Sequence, residues 1–567
     1  MRRRQFLKAG AAGLACGAAT QSTAVSDFLR IIYQNLERRV YASANTETLN
    51  YVNCVFPGAP PRWIFDHMLK TSTQDPDVTS NPMVVTRYNS GGTAGDYSLY
   101  DYNGVLVPSI WSTNVTTGGG GQAKLEELLR HMIVIRGYGS GVDSHTSNCA
   151  MQTAPVPSLG SVHGYVADHS HTPLKVVQYP IADFGALGAF SGYRSITGTG
   201  ASGVIGGPAG TNLVERLLFP FGNHYPTSVS LKRQYRSMAS TVHKLFAEDL
   251  KARVADSEAI LNDFEASQKV IQDGVDELIA AWTPLYNRYL SVIETSARAL
   301  GVPGFTDVPI IAPTVSANTI NGGLENSYAL FTDQLYYPVA GTDLRTWINA
   351  LQLHKFAQNF ALAEFCLQYG YADSLELSFL GVIPNVQGQF IKQATSSASD
   401  YTLNATFDQH ATGSMAAIML NSALYRGYGA GLLEFVSQLK QKDLFKKTVI
   451  HTASDFGRTP RVSGGGCDHG FDAMITTLIT GLHEGAPMIL GNVAKDAMGL
   501  GSFGQKTTTS LQTAAGTESV TLSPIHVGST LAVLLNLPDN PWKNLASPLV
   551  EVRDGKVYAL ASGRMIA

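Results

Sequence analysis

The chain has 567 residues, of which 44% are hydrophobic and 15% are charged. It is therefore long enough for two or three domains, or for one large α/β domain with insertions, and it can bury a large core. The 55 glycines indicate many turns and argue against a helical bundle. A formal net charge of −3, with no basic stripe along the sequence, argues against a nucleic-acid-binding protein.

The first 24 residues have the composition of an export signal. The segment RRRQFLKAG resembles a twin-arginine leader and is followed by a short apolar stretch rich in alanine and glycine. We therefore expect residues 1–24 to be removed by the twin-arginine export machinery, which leaves the protein in the periplasm or outside the cell. A lipid anchor at Cys16 is an alternative. No apolar stretch is long enough to span a membrane, so no transmembrane segment is expected.

The predicted elements alternate between strands and helices along the chain. Buried strands are predicted where short apolar runs occur, and helices where apolar residues recur every three or four positions. The predicted strands are 50–56, 131–136, 174–179, 448–452 and 474–480, with a hairpin near 97–102. The predicted helices are 25–48, 123–130, 344–370, 412–441 and 524–535, together with a helical section over 230–300. This pattern predicts an α/β fold in which a mostly parallel sheet carries helices on both faces. We expect a single large domain over 25–567.

Candidate metal ligands follow or precede these strands and helices. Asp408 and His410 come just before a predicted helix, Asp455 follows the predicted strand 448–452, and Asp468-His469 follows a glycine-rich loop. Ligands in α/β sheets gather beyond the carboxyl ends of the strands. Asp408, His410 and His469 could form a three-ligand site for a divalent metal, zinc or manganese, with an open position for catalysis. The alternative is that these residues only cap helices and form turns.

Four segments together resemble the family called domain of unknown function 1501. The most specific segment is ASDFGRTPRVSGGGCDHG, and the other three are TFDQHATG, VDSHTSNCAMQTA and SPIHVGSTLAVLLNL. The resemblance covers roughly residues 50–540 and implies membership of the alkaline phosphatase and sulfatase superfamily. Its fold would be a three-layer α/β sandwich. It would make Asp408, His410 and His469 ligands of one metal and Asp455 a ligand of a second, although Phe456 stands where related phosphatases have a histidine.

The nucleophile of that superfamily has no counterpart in the corresponding segment, FPGAPPRWIFD. Pro60 and Pro61 occupy the expected positions, and proline offers neither a nucleophile nor a metal ligand. Asp66 could substitute as a ligand. The hydroxyl groups that remain as candidate nucleophiles are those of Ser144, Thr146 and Ser454.

Other polar residues have two interpretations each. His145 could be a metal ligand, an acid–base group or a buried structural histidine, and Arg458 could grip an anionic substrate or pair with Asp455. The histidines in HGYVADHSH, namely His163, His169 and His171, could form a second metal cluster, but a surface loop is the expected interpretation.

Two functions remain open from the sequence. The first is an exported, metal-dependent hydrolase of phosphate or sulfate esters that uses water in place of a side-chain nucleophile. The second is a non-catalytic periplasmic or surface protein that keeps the fold and binds a partner or a glycan.

Overall fold

The computed structural model describes residues 48–67, 99–170, 175–179, 275–299, 351–383, 414–460, 474–495 and 508–561, with shorter stretches that include 407–410 and 467–472. The predicted leader 1–24, the predicted helix 25–48 and most of 230–274 lie outside the described residues. The extent of the domain therefore stays a prediction.

An eight-stranded sheet forms the centre of the molecule. In chain order its strands are β1 (Asn50–Phe56), β2 (Met132–Tyr138), β3 (Lys175–Tyr179), β4 (Ser202–Val204), β5 (Ala372–Ser378), β6 (Thr448–Ser454), β7 (Met474–Thr480) and β8 (Met488–Leu490). The spatial order is β4-β3-β5-β1-β6-β7-β2-β8. Only β7 runs against its neighbours, so the other seven strands point the same way. The α/β class and the mostly parallel sheet are thus confirmed.

Helices cover both faces of this sheet. They are α1 (His145–Met151), α2 (Val162–His169), α3 (Val275–Arg298), α4 (His354–Tyr369), α5 (Ser414–Gln441) and α6 (Pro524–Leu534). Side chains alternate along β1: Val52, Cys54 and Phe56 enter the core under α3, α4 and α5, whereas Tyr51 enters the core under α2 and α6. All but the first residue of β1 are buried, as expected for a strand with both faces covered.

Smaller strands and 3-10 helices extend from this core. The antiparallel ribbons pair Leu99–Tyr102 with Val105–Pro108, Asn114–Thr116 with Gln122–Lys124, Thr508–Thr513 with Gly516–Thr521, and Val550–Arg553 with Lys556–Ala559. Shorter pairs join Lys70–Thr71 to Val105–Pro108, Arg87–Tyr88 to Gly95–Asp96, Val386–Gln387 to Asn404–Ala405, Thr459–Pro460 to Cys467–Asp468, and Val493–Lys495 to Phe503–Lys506. The 3-10 helices are Ser109–Ser112, Leu125–His131, Pro157–Leu159 and Phe445–Lys447.

Most predicted elements within the described residues are present. Strands 50–56 and 474–480 have the predicted bounds, and the hairpin near 97–102 forms between Leu99–Tyr102 and Val105–Pro108. The helix predicted over 123–130 is present as the 3-10 helix Leu125–His131, and its first two residues, Ala123 and Lys124, belong to a ribbon strand instead.

The helices of the described part of the chain are too short or too polar to cross a membrane.

Candidate metal centre

Five chain segments meet at one end of the sheet, where its parallel strands terminate. Phe56 and Ser454 are register partners, and Ser378 lies beside Val55, so β1, β5 and β6 all end there. Segment 408–410 lies just before α5, and His145 begins α1 after β2. The loop after β6 returns through the ribbon between Thr459–Pro460 and Cys467–Asp468, and this brings His469 back to the end of the sheet where Asp455 lies. The polar residues predicted from sequence therefore gather at the carboxyl ends of the strands.

His145 is held by a buried carboxylate. Its Nδ1 lies 2.5 Å from Oδ2 of Asp455, and the same oxygen accepts a hydrogen bond of 2.9 Å from the backbone N–H of Gly58. A carboxylate can only accept, so Nδ1 of His145 carries a proton and Nε2 faces the other way. That Nε2 lies 3.6 Å from Oδ2 of Asp408. The two carboxylates raise the pKa of His145 to about 9 in the metal-free protein.

His469 is oriented in the same manner by a second carboxylate. Its Nδ1 lies 2.5 Å from Oδ1 of Asp143, so its Nε2 points into the cluster. The ring stacks on Phe456, with centroids 4.1 Å apart and planes 11° apart, and it meets the His145 ring nearly edge-on at 4.6 Å. A hydrogen bond and a stacking contact therefore fix both the tautomer and the plane of His469.

His410 faces His469 across the cluster. The Nε2 atoms of the two rings are 2.9 Å apart, and the His410 atom lies 3.1 Å from Oδ1 of Asp408 and 3.3 Å from Nη1 of Arg458. Burial lowers the pKa of His410, and the positive charge of Arg458 lowers it further against the opposing effect of Asp408. His410 is therefore a neutral nitrogen donor in this environment.

Asp408 is the carboxylate at the centre of the cluster. Its Oδ1 accepts a 2.5 Å hydrogen bond from Nη2 of Arg458. Burial alone would raise the pKa of Asp408, but the hydrogen bond with His145 and the charge of Arg458 outweigh it and hold this pKa well below its usual value. Asp408 is thus ionised at any pH at which the protein would be studied.

Arg458 is fully buried next to the cluster and holds Asp408 by a hydrogen bond. Its Nε donates to the carbonyl of Ala59 at 2.8 Å, and its Nη2 donates to the carbonyl of Gly58 at 2.5 Å as well as to Asp408. Of the two interpretations from sequence, the pairing with Asp455 is not found among these bonds. Arg458 pairs with Asp408 instead, and its Nη1 lies 3.3 Å from Nε2 of His410.

The donor set fits a divalent metal. Ligand atoms of His145, Asp408 and His469 all lie within 4.8 Å of one another, and all three residues are partly exposed. Two imidazole Nε2 atoms that face each other need a proton or a cation between them. The buried Oδ1 of Asp455 also has no hydrogen-bond partner among the described residues. Two nitrogens and a carboxylate, with a carboxylate behind each histidine, form the usual environment of zinc or manganese.

The cluster and its immediate surroundings contain the four ligands predicted from sequence together with His145 and Arg458, with some roles rearranged. His145 lies beside Asp408 and His469 as a candidate ligand, and His410 is at its border. Asp455 lies behind His145, where its Oδ2 serves as an orienting group. Asp143 and Gly58 were missed. Asp143 had one available signal, its position two residues before His145, whereas the contact of the Gly58 backbone left no trace in the sequence.

Three side chains that the sequence offered as a substitute ligand or as nucleophiles have other partners in the structure. Asp66 forms a buried ion pair with Arg62 and accepts a hydrogen bond from Thr477, so it does not replace the missing ligand. The hydroxyl of Ser144 caps α1, and that of Ser454 donates to the carbonyl of Phe456. Each of these groups satisfies a buried or helix-end partner.

The histidine-rich segment HGYVADHSH is not the expected surface loop. His163 lies in α2 and is fully buried, with Nε2 2.6 Å from Oε2 of Glu376 and Nδ1 2.7 Å from Oγ of Ser374. His171 lies outside the described residues.

No curated protein and no solved structure matches the chain. Residues 390–486 match one family model, and this region contains Asp408, His410, Asp455, Arg458 and His469 but neither His145 nor Gly58. By this match, residues 390–486 are similar to the family described as "Protein of unknown function (DUF1501)".

Proposed function

We propose that the protein is an exported, metal-dependent hydrolase of phosphate or sulfate esters. The observation that carries this proposal is the convergence of His145, Asp408 and His469, whose ligand atoms lie within 4.8 Å of one another in a partly exposed position. A divalent ion held there would supply Lewis acidity toward an ester oxygen. A zinc or manganese ion suits the mixture of imidazole and carboxylate donors.

The residues of the chain have separate tasks in this proposal. His145, Asp408 and His469 hold the ion, while Asp455 and Asp143 keep the Nε2 atoms of the two histidines turned toward it. His410 is close enough to act as a fourth ligand or to accept a proton at Nε2. Phe456, stacked on His469, excludes water from one side of the cluster.

The alkaline-phosphatase-like superfamily is part of the same proposal. It is supported by the seven strands of common direction, by helices on both faces, and by the position of the cluster beyond the strand ends. The hydroxyls of Ser144 and Ser454 are bonded within the protein, so we propose that water attacks the ester in place of a side-chain nucleophile.

A second candidate function is a non-catalytic periplasmic or surface protein that keeps the fold, with or without a structural metal, and binds a partner or a glycan. The hydroxyls of Ser144 and Ser454 favour it, because both already hydrogen-bond within the protein. The two candidates differ in turnover, and only the hydrolase requires the metal.

Export by the twin-arginine route, and a location in the periplasm or outside the cell, complete the proposal. Its basis is the leader-like sequence of residues 1–24.

The first test is the metal content of protein purified from the exported fraction. We expect about one zinc or manganese per chain in the wild type, and loss of most of it in His469→Ala, because one of three converging donors is removed. His131→Gln is the control, since His131 is a buried histidine at the opposite end of the sheet, where β2 begins.

Activity is then measured on 4-nitrophenyl phosphate and 4-nitrophenyl sulfate. Turnover that disappears with the metal supports the hydrolase. A metal-loaded wild type with no turnover on an ester panel favours the binding protein. A wild type without metal overturns the hydrolase and leaves the binding protein.

A further inference from the structure

The turn that follows β1 contacts both halves of the candidate metal centre through its backbone. We call residues 57–60 the brace. The N–H of Gly58 donates to Asp455, which holds His145. The carbonyls of Gly58 and Ala59 accept from Arg458, which holds Asp408. One short turn is therefore linked by two hydrogen-bonded paths to two of the three converging ligands.

The conformation of the brace restricts which residues can occupy it. Gly58 has φ of 91°, in a region that strongly favours glycine. A Cβ added there would lie 2.9 Å from Cβ of Phe407 and 3.5 Å from the backbone nitrogen of Asp408. The backbone of Gly58 thus packs directly against the segment that carries Asp408, so a side chain at position 58 would push that segment away.

The far end of the brace is fixed to the core. Proline rings at Pro57 and Pro60 restrict the backbone, and the carbonyl of Pro60 accepts a 2.7 Å hydrogen bond from the buried hydroxyl of Tyr425 on α5. Because α5 also follows the Asp408 segment, this bond links the brace to the helix that positions the same ligand.

We propose that the brace is the positioning element of the metal centre, with Gly58 as its key residue. It supplies no ligand, and its backbone sets the distance between the His145 side of the centre and the Asp408 side. This inference rests on the proposed function, because it assumes that the centre binds a metal. It gives a role to the proline-rich segment that lacks a nucleophile.

The test compares Gly58→Ala with Gly104→Ala in the full chain. Gly104 has φ of 83° in a hairpin turn and nothing within 4 Å of an added Cβ, so its variant carries similar backbone strain away from the centre. Zinc affinity is measured by competition with a chelator, and the absorption spectrum of the Co²⁺-loaded protein reports ligand geometry. We expect Gly58→Ala to weaken zinc binding about 10–100-fold and to change the Co²⁺ spectrum, as loss of a supporting contact around metal ligands does. Gly104→Ala should change neither.

A second pair of variants decides the matter if Gly58→Ala does not fold. Tyr425→Phe removes the hydroxyl that holds Pro60, and Tyr289→Phe removes a buried hydroxyl that donates to Glu364 instead. Weaker zinc binding in Tyr425→Phe alone supports the brace. Equal affinities within each measurable pair, with metal bound to the wild type, overturn the brace and leave the proposed function intact. A wild type that binds neither zinc nor Co²⁺ overturns both.

Discussion

At the residue scale, the histidines divide into two groups according to their surroundings. His145, His410 and His469 are partly exposed beside carboxylates, whereas His451 is fully buried in the sheet. Nδ1 of His451 lies 2.7 Å from the hydroxyl of Tyr51. Burial, together with the positive charges of Arg62 and His163, lowers the pKa of His451 to about 3. Residues of one type therefore serve a candidate metal centre in one place and core packing in another.

The buried His451 should make the protein sensitive to acid. Its pKa is lower in the folded state than the value of about 6.5 expected in the unfolded chain. The unfolded state therefore binds the extra proton first, and stability is lost as pH falls from about 6.5 toward 3. In His451→Gln this proton uptake is absent, and the free energy of unfolding should depend on pH less steeply, by up to about 1.4 kcal/mol per pH unit. Urea unfolding of both proteins between pH 6.5 and 4.5 measures the slopes, and identical slopes would contradict the assignment.

At the scale of elements, the long helix α5 connects the centre to the core. It begins at Ser414, four residues after His410, and packs against α3 and α4. Gly431 permits this close packing, because a Cβ there would lie 2.7 Å from two ring carbons of Phe360 and 3.0 Å from Cδ1 of Ile293. The glycines of α5 thus allow helix contact, and a helix that shifts would carry the Asp408 segment with it.

Substitution of Gly431 by alanine should destabilise the protein although alanine favours helices. Overpacking against Phe360 costs about 1–3 kcal/mol, whereas the gain in helix propensity is at most about 1 kcal/mol. Gly427→Ala is the matched control on the same helix, since its nearest neighbour is Cβ of Ala297 at 3.0 Å and the next lies at 3.4 Å. Chemical unfolding should rank Gly431→Ala below Gly427→Ala in stability. The reverse order would show that the Phe360 ring moves aside without cost.

At the scale of the whole molecule, the candidate centre joins segments that are far apart in sequence. His469 and Asp143 are 326 positions apart, and Gly58 and Asp455 are 397 positions apart. A bound ion would therefore connect the loops after β2 and β6 and the segment before α5, none of which is adjacent to the others along the chain. Binding to the folded state alone stabilises that state by mass action.

Metal should consequently raise the thermal stability of the folded protein. With zinc at one hundred times its dissociation constant, we expect about 2.7 kcal/mol of added stability and a higher unfolding midpoint. A chelator should reverse the shift, and His469→Ala should show little of it. Scanning calorimetry with and without zinc makes the comparison. An equal increase in wild type and His469→Ala would assign the stabilisation to other zinc-binding groups.

The sequence by itself predicted the α/β class, the candidate residues of the centre and five of the eight strands of the sheet, namely β1, β2, β3, β6 and β7, but not β5, which pairs with β1. Short runs rich in β-branched and aromatic residues, such as 50–56 and 474–480, favour buried strands over helices. Asp or His next to such a strand is a candidate ligand by residue type alone. The same reasoning failed at His163, which was expected in a surface loop and lies buried in α2 against Glu376 and Ser374.

Only the tertiary structure decided how those residues are used. It paired Arg458 with Asp408 and not with Asp455, placed Asp143 behind His469, and set the backbone of Gly58 between the two sides of the centre. Spacing along the chain describes which side chains share a local face, but these contacts join residues 50 to 397 positions apart. Their geometry depends on the order and direction of the strands, which local patterns of polarity do not encode.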